Sequence, residues 1–396
     1  MLLYDVARAA SEQPVILLSA GLLSYIILTC IYRRFFHPLA HVPGPFLSAV
    51  TKLYQSYYNR RYYLQIEKLH AQYGPIVRIT PDEVHIADPE HNSEYYDKSM
   101  RDLPCPPTFT VLTQSSVHHV GSKYSKSPNF YNALCVPHSS FGTLSNEAHR
   151  IKRAALNPMF SKQKVLDLES IVQEKVEKVC QRMQAGLDNG TQVDLYHCFR
   201  AVSVDVISEF AFDDCYNLLD KEDIGATFFE MARGIGPALW VFQQLPTMQR
   251  LALKIPPWLA PKLSTPLGYV TRLQGECVRK IEVVKQQSDL GRQTIFTTLL
   301  SGQDKPEGYV IPTTERLKDE AYSVLAAAAD TTGNAMTVAA YNVLADAEIY
   351  DKLASELSAH FPDRMEKLSY VELERLPYLV GFAILAALFP ILTKYM

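Results

Sequence analysis

Asp330, Thr331 and Thr332 stand together in an otherwise apolar stretch, directly after Ala327, Ala328 and Ala329. A carboxylate and two hydroxyls are costly to bury unpaired, so their presence there asks for a partner. In a helix, Ala327 and Thr331 share a face at i, i+4, as do Ala328 and Thr332. The small side chains let something broad and flat lie close to the backbone. A Thr hydroxyl also bonds readily to the carbonyl four residues earlier and loosens the helix locally. Together these features describe a polar notch in an apolar wall. An Ala-rich core helix with back-bonded threonines fits the same six residues equally well.

Two other sets of residues bear on chemistry. His149-Arg150-Ile151-Lys152-Arg153 is a basic cluster, which by itself reads as a solvated helix face. The seven cysteines are Cys30, Cys105, Cys135, Cys180, Cys198, Cys215 and Cys277, and all precede Asp330. Their number is odd and no Cys-x-x-Cys pair occurs, which excludes the common zinc and disulfide patterns. They read as reduced thiols facing a cytosolic compartment.

The element that must carry the notch runs from Glu315 to Asp346. It contains no proline, and Gly333 is its only glycine. As one helix it is roughly 48 Å long at about 1.5 Å per residue. Its middle is apolar nearly all round, which places it inside a large domain. Ile76–Ile79 and Glu83–Ile86 read as a hairpin turning at Thr80-Pro81-Asp82. Helices are expected over Tyr54–Tyr73, Pro89–Lys98, from Asn146, over Lys162–Leu187 and Val193–Phe212, and over Thr294–Leu300. Residues 221–290 read as two helical stretches around a Pro-rich turn at Ile255-Pro256-Pro257-Trp258. Leu103–Phe141 reads as a long loop. With 47% hydrophobic residues in a chain of 396, a large globular core is expected. A net charge of -3 argues against a general nucleic-acid binder. Val15–Tyr32 is an apolar run followed by Arg33 and Arg34, which reads as a retained membrane anchor with the bulk of the chain cytosolic. A buried N-terminal helix is the weaker reading, since the run has no polar face. Residues 37–53, with Val42-Pro43-Gly44-Pro45, read as a stiff connector.

Small-small-x-Asp-Thr-Thr in a long central helix resembles the oxygen-activating helix of cytochrome P-450 monooxygenases, haem proteins with a Cys thiolate ligand. "YGPIVRITPDEVHIAD" is similar to the first sheet of fungal members. The Pro-Gly-Pro connector after an anchor is similar to microsomal ones. The resemblance implies a mainly α fold with a small β-sheet, and a haem. It gives Asp330, Thr331 and Thr332 the catalytic positions: Thr331 bonds the iron-bound oxygen species and Asp330 relays protons. It places Ala327 and Ala328 against the cofactor, and Arg153, with His149 where Trp is usual, at the haem propionates. It implies an apolar small-molecule substrate, a terpenoid or polyketide, hydroxylated or epoxidised with dioxygen. It also implies an NADPH-cytochrome reductase as partner, and the endoplasmic reticulum membrane as location.

After Leu379 the pattern stops. Leu385 and Leu388 stand where the family has Glu-x-x-Arg, and no cysteine loop follows the central helix. The Glu-x-x-Arg string at Glu372–Arg375 precedes Leu376-Pro377-Tyr378-Leu379 instead of following it, and reads as accidental. The expectation is therefore a P-450 fold lacking its haem-ligand segment. Residues 1–36 form the anchor, 37–53 the hinge, 54–379 a partial domain and 380–396 an aberrant apolar tail. No metal ligand is assigned. Two alternatives stand beside an inactive truncated form. One is a working monooxygenase whose remaining segment comes from another exon. The other is a non-catalytic, membrane-anchored protein that binds an apolar ligand or a partner.

Overall fold

The computed structural model describes residues 2–58, 61–87, 126–234, 236–286, 292–302, 305–363 and 368–392. The helix expected at Pro89–Lys98 and most of the loop expected at Leu103–Phe141 lie outside them. The longer elements are α1 (Leu2–Ile31), α2 (Tyr62–Tyr73), β1 (Ile76–Thr80), β2 (Glu83–Ile86), α3 (Asn146–Leu156) and α4 (Glu169–Asn189). They continue with α5 (Leu195–Phe212), α6 (Ala226–Gly234), α7 (Thr265–Gln286), α8 (Thr314–Ala345), α9 (Ala347–His360) and α10 (Pro377–Leu392). The fold is mainly helical with a small antiparallel sheet, as the sequence implied. Two compact units divide the chain.

The first unit comprises residues 1–133, 144–146 and 240–247. Its sheet is the expected hairpin, with Ile76 opposite Ile86 and Val77 opposite His85. Val77 and Ile79 of β1 bury their side chains with Tyr62 and Leu69 of α2. The Pro-rich connector docks on β1: the Arg78 N–H donates to the Pro43 carbonyl at 2.8 Å, and Ser48 Oγ to the Arg78 carbonyl at 2.9 Å. Tyr54–Tyr73 forms two helices, Leu53–Tyr58 and α2, in place of the one expected. No helix among the described residues searched is long and apolar enough to cross a membrane, so the structure does not support the single-pass span expected at Val15–Tyr32.

A His–His hydrogen bond, His70 Nε2 to His85 Nδ1 at 2.7 Å, ties α2 to β2. Burial, reinforced by the charge of His70, holds His85 below the ordinary histidine value. The neutral ring is thus the form the fold prefers. Above about pH 6.5 both states are neutral and this contribution is whole; as pH falls toward the lowered native value, the unfolded chain takes up the proton first. Acidification from pH 7.5 to 5.5 is therefore expected to lower the thermal midpoint of the full chain more than that of His85→Gln. Equal losses in the two proteins would refute the assignment.

The second unit comprises residues 134–143, 147–239 and 248–396, and holds the main core. Its axis is α8, which packs chiefly on α5, with α7 and α10 alongside. The core is contributed by Phe210 and Phe212 of α5, Leu273 and Ile281 of α7, Phe296, and Leu317, Ala321, Leu325 and Ala329 of α8. Fully buried positions of α8 run from Leu317 to Gly333. Beyond them, Tyr341 and Leu344 are 71% and 72% exposed. The expected Lys162–Leu187 helix is broken at Asp167-Leu168 into Lys162–Leu166 and α4. Residues from Pro377 to Leu392 make a single helix, α10. Its free N–H groups at Tyr378 and Leu379 are capped by the Glu356 carboxylate of α9, at 3.0 and 2.9 Å.

Gly333 is required by close helix packing. A Cβ there would lie 2.8 Å from Arg200 Cα and 3.0 Å from Arg200 N, both backbone atoms of α5. Gly333→Ala must push α5 and α8 apart, and is expected to destabilise by about 1–3 kcal/mol despite alanine's better helix propensity. Urea unfolding checks this; a stabilised variant would refute the close approach.

Candidate active site

The exposed face at the middle of α8 carries Ala326, Ala327, Asp330 and Thr331. Thr331 Oγ1 donates to the Ala327 carbonyl at 2.8 Å, the back-bond its spacing allows. Thr332 is exposed. The Ala328 carbonyl accepts a hydrogen bond from Ser203 Oγ of α5 at 2.8 Å.

Asp330 is held by two arginines from distant segments. Arg200 Nε, on α5, donates to Asp330 Oδ1 at 2.9 Å. Arg233 of α6 donates from Nη2 and Nε to the same carboxylate. The Arg200 guanidinium is buried, lies 3.6 Å from the centroid of the Tyr196 ring, and also reaches Asn334 Oδ1 and Thr337 Oγ1. Asp330, Asn334 and Thr337 are spaced i, i+4, i+7 and so form one polar stripe on α8. Gly333 beside that stripe lets α5 come near enough for Arg200 to reach it. Burial pushes the Asp330 carboxyl up, but the hydrogen bonds and charges of Arg233 and Arg200 outweigh it and hold the group below the ordinary carboxylate value. Asp330 is therefore an ionised, doubly paired carboxylate at neutral pH.

Beside this ion pair lies a cavity of about 430 Å³. Leu134, Val136, Phe229, Leu239, Ala326 and Ala329 give it apolar walls, and Tyr322, Ser323 and the paired Asp330 and Arg233 complete the lining. Of the residues singled out in the sequence, Ala327 and Asp330 line it; Ala328, Thr331, Thr332, His149 and Arg153 do not. His149 and Arg153 lie one turn apart on α3. Arg153 is exposed, with its guanidinium 5.6 Å from the Phe160 ring centroid. The sequence reading missed Arg200 and Arg233. The Asp330, Asn334, Thr337 stripe flanking a glycine was the available sign that a cation approaches α8.

The described cysteines supply no thiolate to this site. Burial pushes Cys135 up to about 11 and Cys277 up to about 12, and also raises Cys198 and Cys215. Cys30 lies on α1 and Cys180 on α4, and none of the six lines the cavity. The exposed Ala326, Ala327 and Thr331 face suits a flat group, but the donor set of a haem-thiolate centre is not assembled among the described residues.

Comparison with known proteins agrees with this architecture. The cytochrome P450 family model matches residues 90–382. "Cytochrome P450 monooxygenase tpcC" of Cochliobolus heterostrophus is 32% identical over 396 residues, covering 96% of this chain and 70% of its own length. "Conidiogenone synthase PchP450" of Penicillium rubens is 31% identical, covering 92% of this chain and 70% of its own length. A crystal structure of a cytochrome P450, CYP102L1, superposes with a TM-score of 0.53 at 17% identity, over 65% of this chain and 57% of that one. The chain belongs to the cytochrome P450 family.

Proposed function

We propose that the cavity beside Asp330 receives a small, largely apolar molecule, a terpenoid or polyketide, with one polar group turned toward Asp330 and Arg233. The observation that carries this reading is the combination of apolar walls with the Asp330–Arg233 ion pair in a 430 Å³ space. The relatives' names as monooxygenases support a substrate pocket, and the family implies haem and a redox partner reductase in its intact members. Bound haem would supply dioxygen activation by its thiolate-ligated iron. The described residues do not fit that donor set, so no reaction step is assigned here. In this reading Asp330, Thr331 and Thr332 keep the family's positions without its activity. The Thr331 hydroxyl is committed to the Ala327 carbonyl, and Asp330 to two arginines. His149 and Arg153 would meet the carboxylates of a bound cofactor.

Ala329→Phe tests the pocket, because Ala329 lines the cavity and the larger side chain fills it. With farnesol as probe, wild type is expected to bind and the variant to lose affinity about tenfold or more, by calorimetry. Equal binding by the two proteins would refute the assignment.

Attachment of α1 to the endoplasmic reticulum membrane is also part of this reading. Ile16, Leu18, Leu22, Leu23, Ile27 and Leu28 are all exposed, and Arg33 and Arg34 follow. A run of exposed aliphatic side chains is suited to lipid. A tagged full chain should stay with membranes through carbonate extraction; release into the soluble fraction would overturn the attachment.

A further inference from the structure

A second cavity of the same unit is enclosed by the loop before α6, the first turns of α6, and α7, and has a volume of about 400 Å³. It shares no lining residue with the cavity beside Asp330. Phe228, Met231 and Tyr269 give it apolar walls. Tyr216 forms part of the lining and is held by its neighbours: its ring meets Phe228 at 5.2 Å between centroids, and Lys280 Nζ lies 4.3 Å from its centroid. The Tyr216 hydroxyl is itself buried, out of reach of a molecule in the cavity, and has no hydrogen-bond partner among the described residues.

The rim carries Arg272 and Arg279, seven residues apart on α7 and so on one face. Both guanidiniums are weakly engaged. Arg272 Nε is 3.9 Å from Glu276 Oε1, and Arg279 Nη2 is 3.8 Å from Asp214 Oδ2, distances too long for charge-assisted hydrogen bonds. The Asp214 carboxylate is instead taken by Lys280 at 2.7 Å. Asp223, also in the lining, accepts from the N–H groups of Gly225 and Thr227 at 3.0 Å each and so is committed to the turn that starts α6. Lys221 adds a further positive charge. Glu276 is the opposing charge that a ligand must tolerate, with Arg272 Nε 3.9 Å from it.

We propose that this cavity binds an organic monocarboxylate, its apolar body between Phe228, Met231 and Tyr269 and its carboxylate accepting from the rim arginines Arg272 and Arg279. The site is independent of the substrate reading above and stands or falls separately from it.

The test uses the full chain in detergent with 2-naphthoate as probe, and 2-naphthalenemethanol as the neutral molecule of the same body. Calorimetry is expected to show 2-naphthoate binding about tenfold or more tighter than the alcohol. Arg272→Gln with Arg279→Gln should abolish that difference; both side chains are largely exposed, so folding is spared. Ala329→Phe, which fills the other cavity, should leave 2-naphthoate affinity unchanged. Equal affinity for acid and alcohol, indifference to the arginine pair, or loss of binding in Ala329→Phe would each overturn the proposal.

Discussion

Arg200→Ala is expected to cost about 3–4 kcal/mol of stability, one of the largest effects of any single substitution in the second unit. The side chain is 2% exposed and is the point where α5 is fastened to α8. It donates to Asp330, to the Tyr196 carbonyl and to Thr337, and stacks on the Tyr196 ring. Removing it leaves those acceptors short of a donor and opens a void at the Gly333 crossing. The Asp330 side chain is 52% exposed, so water and Arg233 recover part of the charge pairing; the remaining loss comes from packing and the partly buried Tyr196 carbonyl. Arg200→Lys should recover less than half, because an ammonium cannot spread over the ring and reach three acceptors at once. Urea unfolding of the three proteins decides. A loss below about 1 kcal/mol for Arg200→Ala would show the network to be marginal.

A polypeptide of residues 1–396, made with a haem precursor, reduced and exposed to carbon monoxide, is expected to give no thiolate-type Soret band. All seven cysteines precede Asp330, and the raised thiols of Cys135, Cys198, Cys215 and Cys277 resist the deprotonation an iron ligand requires. Arg153 could contact a propionate at most. A stoichiometric thiolate-type spectrum would refute this; a weak, unshifted haem signal agrees with it. The apolar cavity beside Asp330 is independent of the result, because its walls are described side chains that need no cofactor to form.

Much of the architecture follows from local sequence. A stretch of 32 residues without proline, starting after Thr313, forms α8 because nothing in it breaks the hydrogen-bond ladder. Alternating apolar residues around Thr80-Pro81-Asp82 make the hairpin, since side-chain alternation and turn chemistry act over a few residues. The Thr331 back-bond is likewise a property of i, i+4 spacing. The Asp-Thr pair in its small-residue context pointed to the family only together with the first-sheet stretch and the Pro-Gly-Pro connector, each a local pattern.

The partners of Asp330 were decided only in three dimensions. Arg200 lies 130 residues away and Arg233 lies 97 away. Neither stands out among the chain's 39 lysines and arginines until α5 and α6 are folded against α8. Exposure was also a tertiary outcome. The apolar residues after Gly333 predict burial by their composition, yet Tyr341 and Leu344 remain open to solvent because the neighbouring helices do not cover that face. Periodicity states which side of a helix is apolar. Which neighbours cover that side, and which charges from far along the chain arrive at its polar stripe, depends on long-range packing, and no local spacing records it.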